Sequence, residues 1–245
     1  MSIYFGMADP PAGFAPPAAA DVVLEPYHPS VKYGGFADLF PSANRWVYVN
    51  PTSVDPWQLE HSVDRPPLSG VDERWRLPRL DHDHPAALDW AVARAIEAWH
   101  LDDGRSTGLF VDDFDRLLPD RAETARAFLD RVADATAPTG PAWFVNRGIG
   151  IWHDIDGLAA VLLEDVAPQI VPSMSAHEQR WLADEVLPAV EQVRTRGVRV
   201  HALSYDDQEA GEMHPDPGLA DDLAALIDTT TTGAKRSLDE WRLSR

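Results

Sequence analysis

The chain has 245 residues, 44% of them hydrophobic, enough for one large core and within the length that a single α/β barrel fills. Asp plus Glu number 40 against 21 Lys plus Arg, and the net charge of −19 repels phosphate backbones and anionic membrane surfaces, which argues against nucleic acid as a partner. The absence of Cys excludes disulfides, thiolate metal sites and a cysteine nucleophile.

In chain order, β-branched or aromatic runs recur at Ile3–Gly6, Val22–Pro26, Trp46–Asn50, Gly108–Asp115, Ala142–Gly148, Ala159–Val166, Val198–Tyr205 and, with the weakest pattern, Ala224–Thr229. Between the first two, Met7 to Asp21 is rich in Pro and Ala without helical period, which predicts an irregular first crossover. Pro51 to Asp83 shows no clear element, and a stretch of that length in a compact domain is usually functional or disordered; Trp57 and Trp75 favour order. His84–His100 has Pro85 at a first helical position and puts Leu88, Val92, Ala95, Ile96 and Trp99 on one stripe. Pro119–Ala135 repeats that period through Ala122, Ala125, Phe128, Leu129 and Val132, and Ala176–Arg196 does so through Leu182, Val186, Val190 and Val193 before Gly197. No repeat or low-complexity segment stands out apart from Thr229 to Thr232. Alternating strands and helices, with eight strand-like runs and no domain boundary, predict a single (β/α)8 TIM-type barrel over residues 1–245.

The active site of such a barrel lies at the C-terminal ends of its strands. Four runs end in polar side chains there: Asp112, Asp113 and Asp115; Asn146 and Arg147; Glu164 and Asp165; Tyr205, Asp206 and Asp207. Paired carboxylates serve glycoside hydrolysis, where one protonates the leaving oxygen and the other attacks the anomeric carbon or activates a water. Trp57, Trp75 and Trp152 fall in strand-end segments where an indole could stack on a sugar or anchor a loop, whereas Trp90, Trp99 and Trp181 sit on helices and suit the core.

The succession Gly108-Leu-Phe-Val-Asp-Asp-Phe-Asp115, Phe144-Val-Asn-Arg-Gly148 and Leu162-Leu-Glu-Asp165 resembles the endo-α-1,4-polygalactosaminidases, glycoside hydrolase family 114, and the related hydrolase domain of Pel exopolysaccharide proteins. The opening Tyr4-Phe-Gly6 and Val22-Val-Leu-Glu-Pro26 fit the first two strands of that family, and the similarity runs through Tyr205 and Asp206. The resemblance implies a retaining glycosidase acting on an α-1,4-linked galactosamine/N-acetylgalactosamine exopolysaccharide whose deacetylated units are cationic. It implies Asp112 as nucleophile and Glu164 as general acid/base, with Asp115 in support and Asn146 and Arg147 lining the sugar pocket. Tyr4, Tyr48, Asp113, Trp152, Tyr205 and Asp207 complete the expected contacts. Side chains alternate along a strand, so only one of Asp112 and Asp113 is expected to point inward, and Asp113 stays the second choice of nucleophile. One departure stands out: the family's third strand commonly ends in Gly-Glu, whereas Trp46-Val-Tyr-Val-Asn-Pro-Thr52 carries no acid until Asp55. A catalytically inactive carbohydrate-binding or scaffold barrel is therefore the alternative.

Asp81-His-Asp-His84 has the residue types of a transition-metal site, but adjacent residues cannot all turn toward one ion and the run immediately precedes a helix. A metal-dependent hydrolase using His82, His84 and His153 is a third reading. Gly148-Ile-Gly150 lacks the third glycine of a dinucleotide loop, and neither a Walker lysine motif nor a Gly-x-Ser-x-Gly elbow is present, which leaves chemistry without a cofactor. No run reaches the roughly 18 to 20 apolar residues of a membrane span, and the opening residues lack a basic stretch followed by an apolar one. A cytoplasmic chain and a secreted chain whose leader has been removed both fit.

Overall fold

The computed structural model describes residues 3–6, 19–72, 76–102, 105–117, 121–205 and 217–233. Its strands are β1 (Ile3–Gly6), β2 (Asp21–Leu24), β3 (Asn44–Val49), β4 (Leu68–Val71), β5 (Pro78–Leu80), β6 (Gly108–Val111), β7 (Ala142–Asn146), β8 (Leu158–Glu164), β9 (Arg199–Tyr205) and β10 (Thr229–Gly233). Its α-helices are α1 (Pro29–Lys32), α2 (Phe36–Leu39), α3 (Pro56–His61), α4 (Pro85–His100), α5 (Ala122–Thr136), α6 (Ala176–Trp181), α7 (Leu187–Thr195) and α8 (Pro217–Leu226). Eight strands form one sheet in the order β1-β2-β3-β6-β7-β8-β9-β10, each parallel to its neighbours, while β4 and β5 make a separate antiparallel hairpin.

The sheet curls into a nearly closed (β/α)8 barrel. Arg199 at the start of β9 reaches Asp21 at the start of β2 at 2.7 Å, although a flat sheet with about 4.8 Å per strand would hold these strands roughly 24 Å apart. Phe5 of β1 likewise meets Phe110 of β6 edge-on at 5.6 Å. The gap falls between β1 and β10, which share no pairing among the described residues.

Strand alternation sorts the core into two shells. Ile3, Val23, Trp46, Phe110, Phe144, Ala160, Leu162 and Leu203 fill the barrel, while Val22, Val47, Leu109, Val111, Val145, Val161 and Val200 face the helices. Gly108 is required by this packing: a Cβ there would lie 1.9 Å from the Ala142 carbonyl oxygen and 2.8 Å from the Trp46 ring. At the N-terminal floor, buried Asp21 accepts the Trp46 indole N–H at 2.8 Å and pairs with Arg199. A buried carboxylate is tolerated only when paired and hydrogen-bonded in this way.

The helices follow their sequence signals. α4 is capped by His84, whose Nδ1 accepts the Ala86 N–H at 3.2 Å, and it buries Ala87, Ala91, Ala95 and Trp99 on one face. Ser175 and Glu178 form a reciprocal capping box at the start of α6. A π turn over Leu182–Val186 joins α6 to α7, next to Pro188, which has no N–H for the ladder and whose ring crowds the preceding turn.

Two expectations need correcting. The eighth strand is Thr229–Gly233, not Ala224–Thr229: Ala224 to Leu226 finish α8, whose Leu219 and Leu223 are buried one turn apart. The stretch from Pro51 to Asp83 contains α3 and the β4–β5 hairpin. The connection from β7 to β8 holds only a 3-10 helix, Ile149–Asp154, among its regular elements. Most of the expected irregular first crossover lies outside the described residues, as do Trp75, Asp206 and Asp207. No described helix is long and apolar enough to cross a membrane.

Candidate active site

The alternation that places Trp46, Phe110, Phe144 and Leu162 inside the barrel continues to the strand ends, so Tyr48, Asp112, Asn146 and Glu164 face its C-terminal mouth. They form one network. Asn146, 2% exposed, donates both amide hydrogens: Nδ2 lies 2.7 Å from Asp112 Oδ1 and 2.8 Å from Glu164 Oε2. Those two contacts laid end to end cap the separation of these oxygens at 5.5 Å, and N–H directions 120° apart would set it at about 4.8 Å. The Tyr48 hydroxyl donates to Asp112 Oδ2 at 2.7 Å, and the Asp113 N–H donates to Asp112 Oδ1 at 2.8 Å.

Three donors favour ionised Asp112, yet it titrates at about 7 because burial, then the Asp113 and Glu164 charges, outweigh them. Asp113 is also raised, mainly by burial, with Arg116 and Asn50 opposing. Burial holds the Tyr48 hydroxyl well above the usual phenol range, and Asp112 adds to that. Arg147 lies 3.4 Å from Glu164, 3.3 Å from Asp165 and 3.5 Å from Asp115. Burial opposes its charge, but these acids more than offset it.

The backbone turns sharply at this rim. Asp113, Arg147 and Asp165 have φ of 50°, 60° and 60°, each immediately after an inward-facing residue of a neighbouring strand. Such left-handed non-glycine residues are strained and persist where the surrounding structure over-determines them. The turn at Asp113 ends the alternation expected for this segment, so Asp113 joins Asp112 at the site instead of facing away: its Oδ2 accepts from Asn50 Nδ2 at 3.2 Å.

The remaining expected residues divide. Asp115 is at the site, on the 3-10 turn Phe114–Leu117, within ion-pair reach of Arg147. Tyr205 ends β9. Tyr4 is misplaced by the sequence reading: Ile3 and Phe5 take the inward positions of β1, and Tyr4 packs on the helix side, its ring 5.8 Å from that of Phe40. Trp152 is 1% exposed and donates its indole N–H to the Arg147 carbonyl, so it braces the turn from below and offers no sugar a face.

Asn50, not foreseen as a site residue, links Tyr48 to Asp113 while its Oδ1 accepts N–H groups of Thr52 and Ser53. Its signal was available: it is the next inward position after Tyr48. His84 is occupied as a helix cap and His82 Nε2 donates to the Pro51 carbonyl at 2.8 Å, which gives each histidine a structural role. Among the described residues, no group of three or more His, Asp or Glu side chains is placed to hold a metal ion.

No protein-family model and no curated protein matches the sequence. Solved structures do match the fold. The glycoside hydrolase domain of PelA from Pseudomonas aeruginosa is 20% identical, with 83% of each chain covered and a TM-score of 0.58. The Aspergillus fumigatus Ega3 complex with galactosamine is 11% identical, with 95% of this chain and 90% of that one covered and a TM-score of 0.64. An α-amylase from H. orenii is 7% identical over 94% of this chain and 68% of that one, with a TM-score of 0.53. Together with the strand order, these likenesses establish the fold as a (β/α)8 barrel, its clustered carboxylates lying at the C-terminal rim.

Proposed function

We propose that the chain is a retaining glycoside hydrolase that cleaves an α-1,4-linked polymer of galactosamine and N-acetylgalactosamine, with Asp112 as nucleophile and Glu164 as general acid/base. The observation that carries this is the double hydrogen bond from Asn146, which holds a carboxylate oxygen of each residue within 5.5 Å of the other. A retaining pair stands about 5 to 5.5 Å apart, whereas an inverting pair needs about 6.5 to 9.5 Å to admit a water. Likeness in fold to a glycoside hydrolase domain and to a barrel solved with galactosamine points the same way.

The roles follow from the hydrogen bonds. Asp112 Oδ1 is engaged by Asn146 and the Asp113 N–H, while among the described residues Oδ2 holds only the Tyr48 hydroxyl, so Oδ2 is the freer oxygen to attack the anomeric carbon. Glu164 gives its proton to the departing glycosidic oxygen, then takes one from the water that releases the sugar from Asp112. Asp112, Asp113, Asp115, Glu164 and Asp165 outnumber Arg116 and Arg147 at the rim, and this excess suits a cationic amino-sugar unit.

The test is cleavage of partially deacetylated poly-α-1,4-galactosamine by the wild type, Asp112→Asn and Glu164→Gln. Cleavage by the wild type alone is expected, and full activity in either variant would sink the assignment. Binding without cleavage by the wild type would favour the binding-barrel reading, for which the specific observation is Asn50-Pro51 in place of an acid at the end of β3.

A further inference from the structure

Beside the carboxylate cluster, the β4–β5 hairpin and the turn before α4 enclose a cavity of about 480 Å³, within the roughly 300–1,000 Å³ range of small-molecule sites. Arg79, Arg116 and Arg121 line it, together with Asp81 and the hydroxyls of Thr52 and Ser69. The cavity shares its wall with the catalytic network. Arg116 bonds Asp72 through Nη1 and reaches Asp113 at 3.2 Å through Nε. Thr52, on the same wall, donates to Asn50 Oδ1 at 2.9 Å, and Asn50 in turn contacts Asp113.

The guanidinium groups are held but not exhausted. Among the described residues, Arg79 makes one hydrogen bond, to Asp72 at 2.9 Å, and Arg121 one, to Asp83 at 2.7 Å, whereas a guanidinium carries five N–H donors. Among the described residues, Asp81 and Asp83 in the lining and Asp72 behind it balance the three arginines, so this is not a field that would gather a phosphate or a carboxylate, least of all on a chain of net charge −19. A mixture of fork-shaped donors, carboxylate acceptors and hydroxyls at near-zero net charge instead matches the vicinal hydroxyls of a neutral sugar, each both donor and acceptor. Among the described residues that line the cavity, the only ring is the His82 imidazole, and the other polar groups are placed to meet the edges of a sugar ring.

We propose that this cavity is a further sugar subsite, taking an uncharged pyranose unit of the same chain whose cationic unit occupies the carboxylate cluster. The proposal rests on the glycosidase reading and deepens it: the hairpin inserted between β3 and β6 makes the enzyme select chains long enough to span both places.

The experiment compares kcat/KM on an octasaccharide and a trisaccharide of partially deacetylated α-1,4-galactosamine. The proteins are the wild type, the double variant Arg79→Ala/Arg121→Ala, the cavity-filling Ser69→Trp, and Arg131→Ala on the outer face of α5 as a control. The octasaccharide-to-trisaccharide ratio should fall by about tenfold or more in the double variant, the scale of one or two lost charge-assisted hydrogen bonds, and should fall again in Ser69→Trp. The control should keep the wild-type ratio. Ratios within twofold of wild type in both subsite variants overturn the subsite and leave the glycosidase standing. A wild type that neither binds nor cleaves these oligosaccharides removes both.

Discussion

Asp112 titrating at about 7 makes the ionisation of the proposed nucleophile the step most open to measurement. Only ionised Asp112 can attack, so kcat/KM should rise with pH on the acid side through a midpoint above that of an ordinary aspartate and no higher than about 7, because the Glu164 charge that helps raise Asp112 is absent while Glu164 carries the proton it donates. Two substitutions should move that midpoint in opposite directions. Tyr48→Phe deletes a 2.7 Å hydrogen bond to Oδ2 that stabilises the ionised form. A hydrogen bond to a charged group is worth about 1.5 kcal/mol, which raises the midpoint by about one pH unit. Asp113→Asn removes the charge that, after burial, does most to disfavour ionised Asp112, and should lower the midpoint by a similar amount of about one pH unit. A bound ammonium group would also favour ionised Asp112, so the midpoint of kcat should lie below that of kcat/KM. The assay is initial-rate cleavage of amino-sugar oligosaccharides from pH 4 to 9. A wild-type midpoint near that of an ordinary aspartate, or shifts of the same sign in both variants, would refute the reasoning.

Other expectations follow from the frame around the site. Gly108→Ala should cost about 3 kcal/mol or more in urea unfolding, because the new methyl meets the Ala142 carbonyl and the Trp46 ring; a loss below about 0.5 kcal/mol would show that the strands can separate there. Burial lowers the affinity of His201 for a proton, so wild-type stability should be full above its unfolded value of about 6.5 and be lost as pH falls through the lower folded one. His201→Phe should flatten that part of the pH–stability curve, and an unchanged acid limb would remove His201 as its cause. Binding of the cationic polymer should weaken with salt, as exposed charges are screened beyond roughly 10 Å at 0.1 M; salt-independent binding would count against charge attraction.

What the sequence disclosed, and what it hid, follows the range of the forces involved. Runs such as Leu109-Phe-Val111 and Ala160-Val-Leu-Leu163 are buried on both faces, which is why they read as strands without alternation. Thr229–Gly233 carries no hydrophobic signal, only the β-branched threonines that suit a strand, while the apolar Ala224–Ile227 beside it drew the assignment away from the helix it ends. At the site, Asp112, Asn146 and Glu164 were legible because each is a polar residue at the end of an apolar run. Tyr4 was misjudged by one position of strand parity, and Trp152 because burial of the segment after β7 depends on packing that no local pattern records. The contacts of Arg116 with Asp72 and of Arg199 with Asp21 join residues 44 and 178 apart: the hairpin between β3 and β6 brings the first pair together and the curl of the sheet the second.

The central claim is a retaining displacement at Asp112, and the anomer released first reports on it most directly. NMR of the wild-type reaction on partially deacetylated α-1,4-galactosamine oligosaccharides should show the α-anomer of the new reducing end appearing first and mutarotating later. First release of the β-anomer would mean that a water attacks in place of Asp112, and would contradict the account.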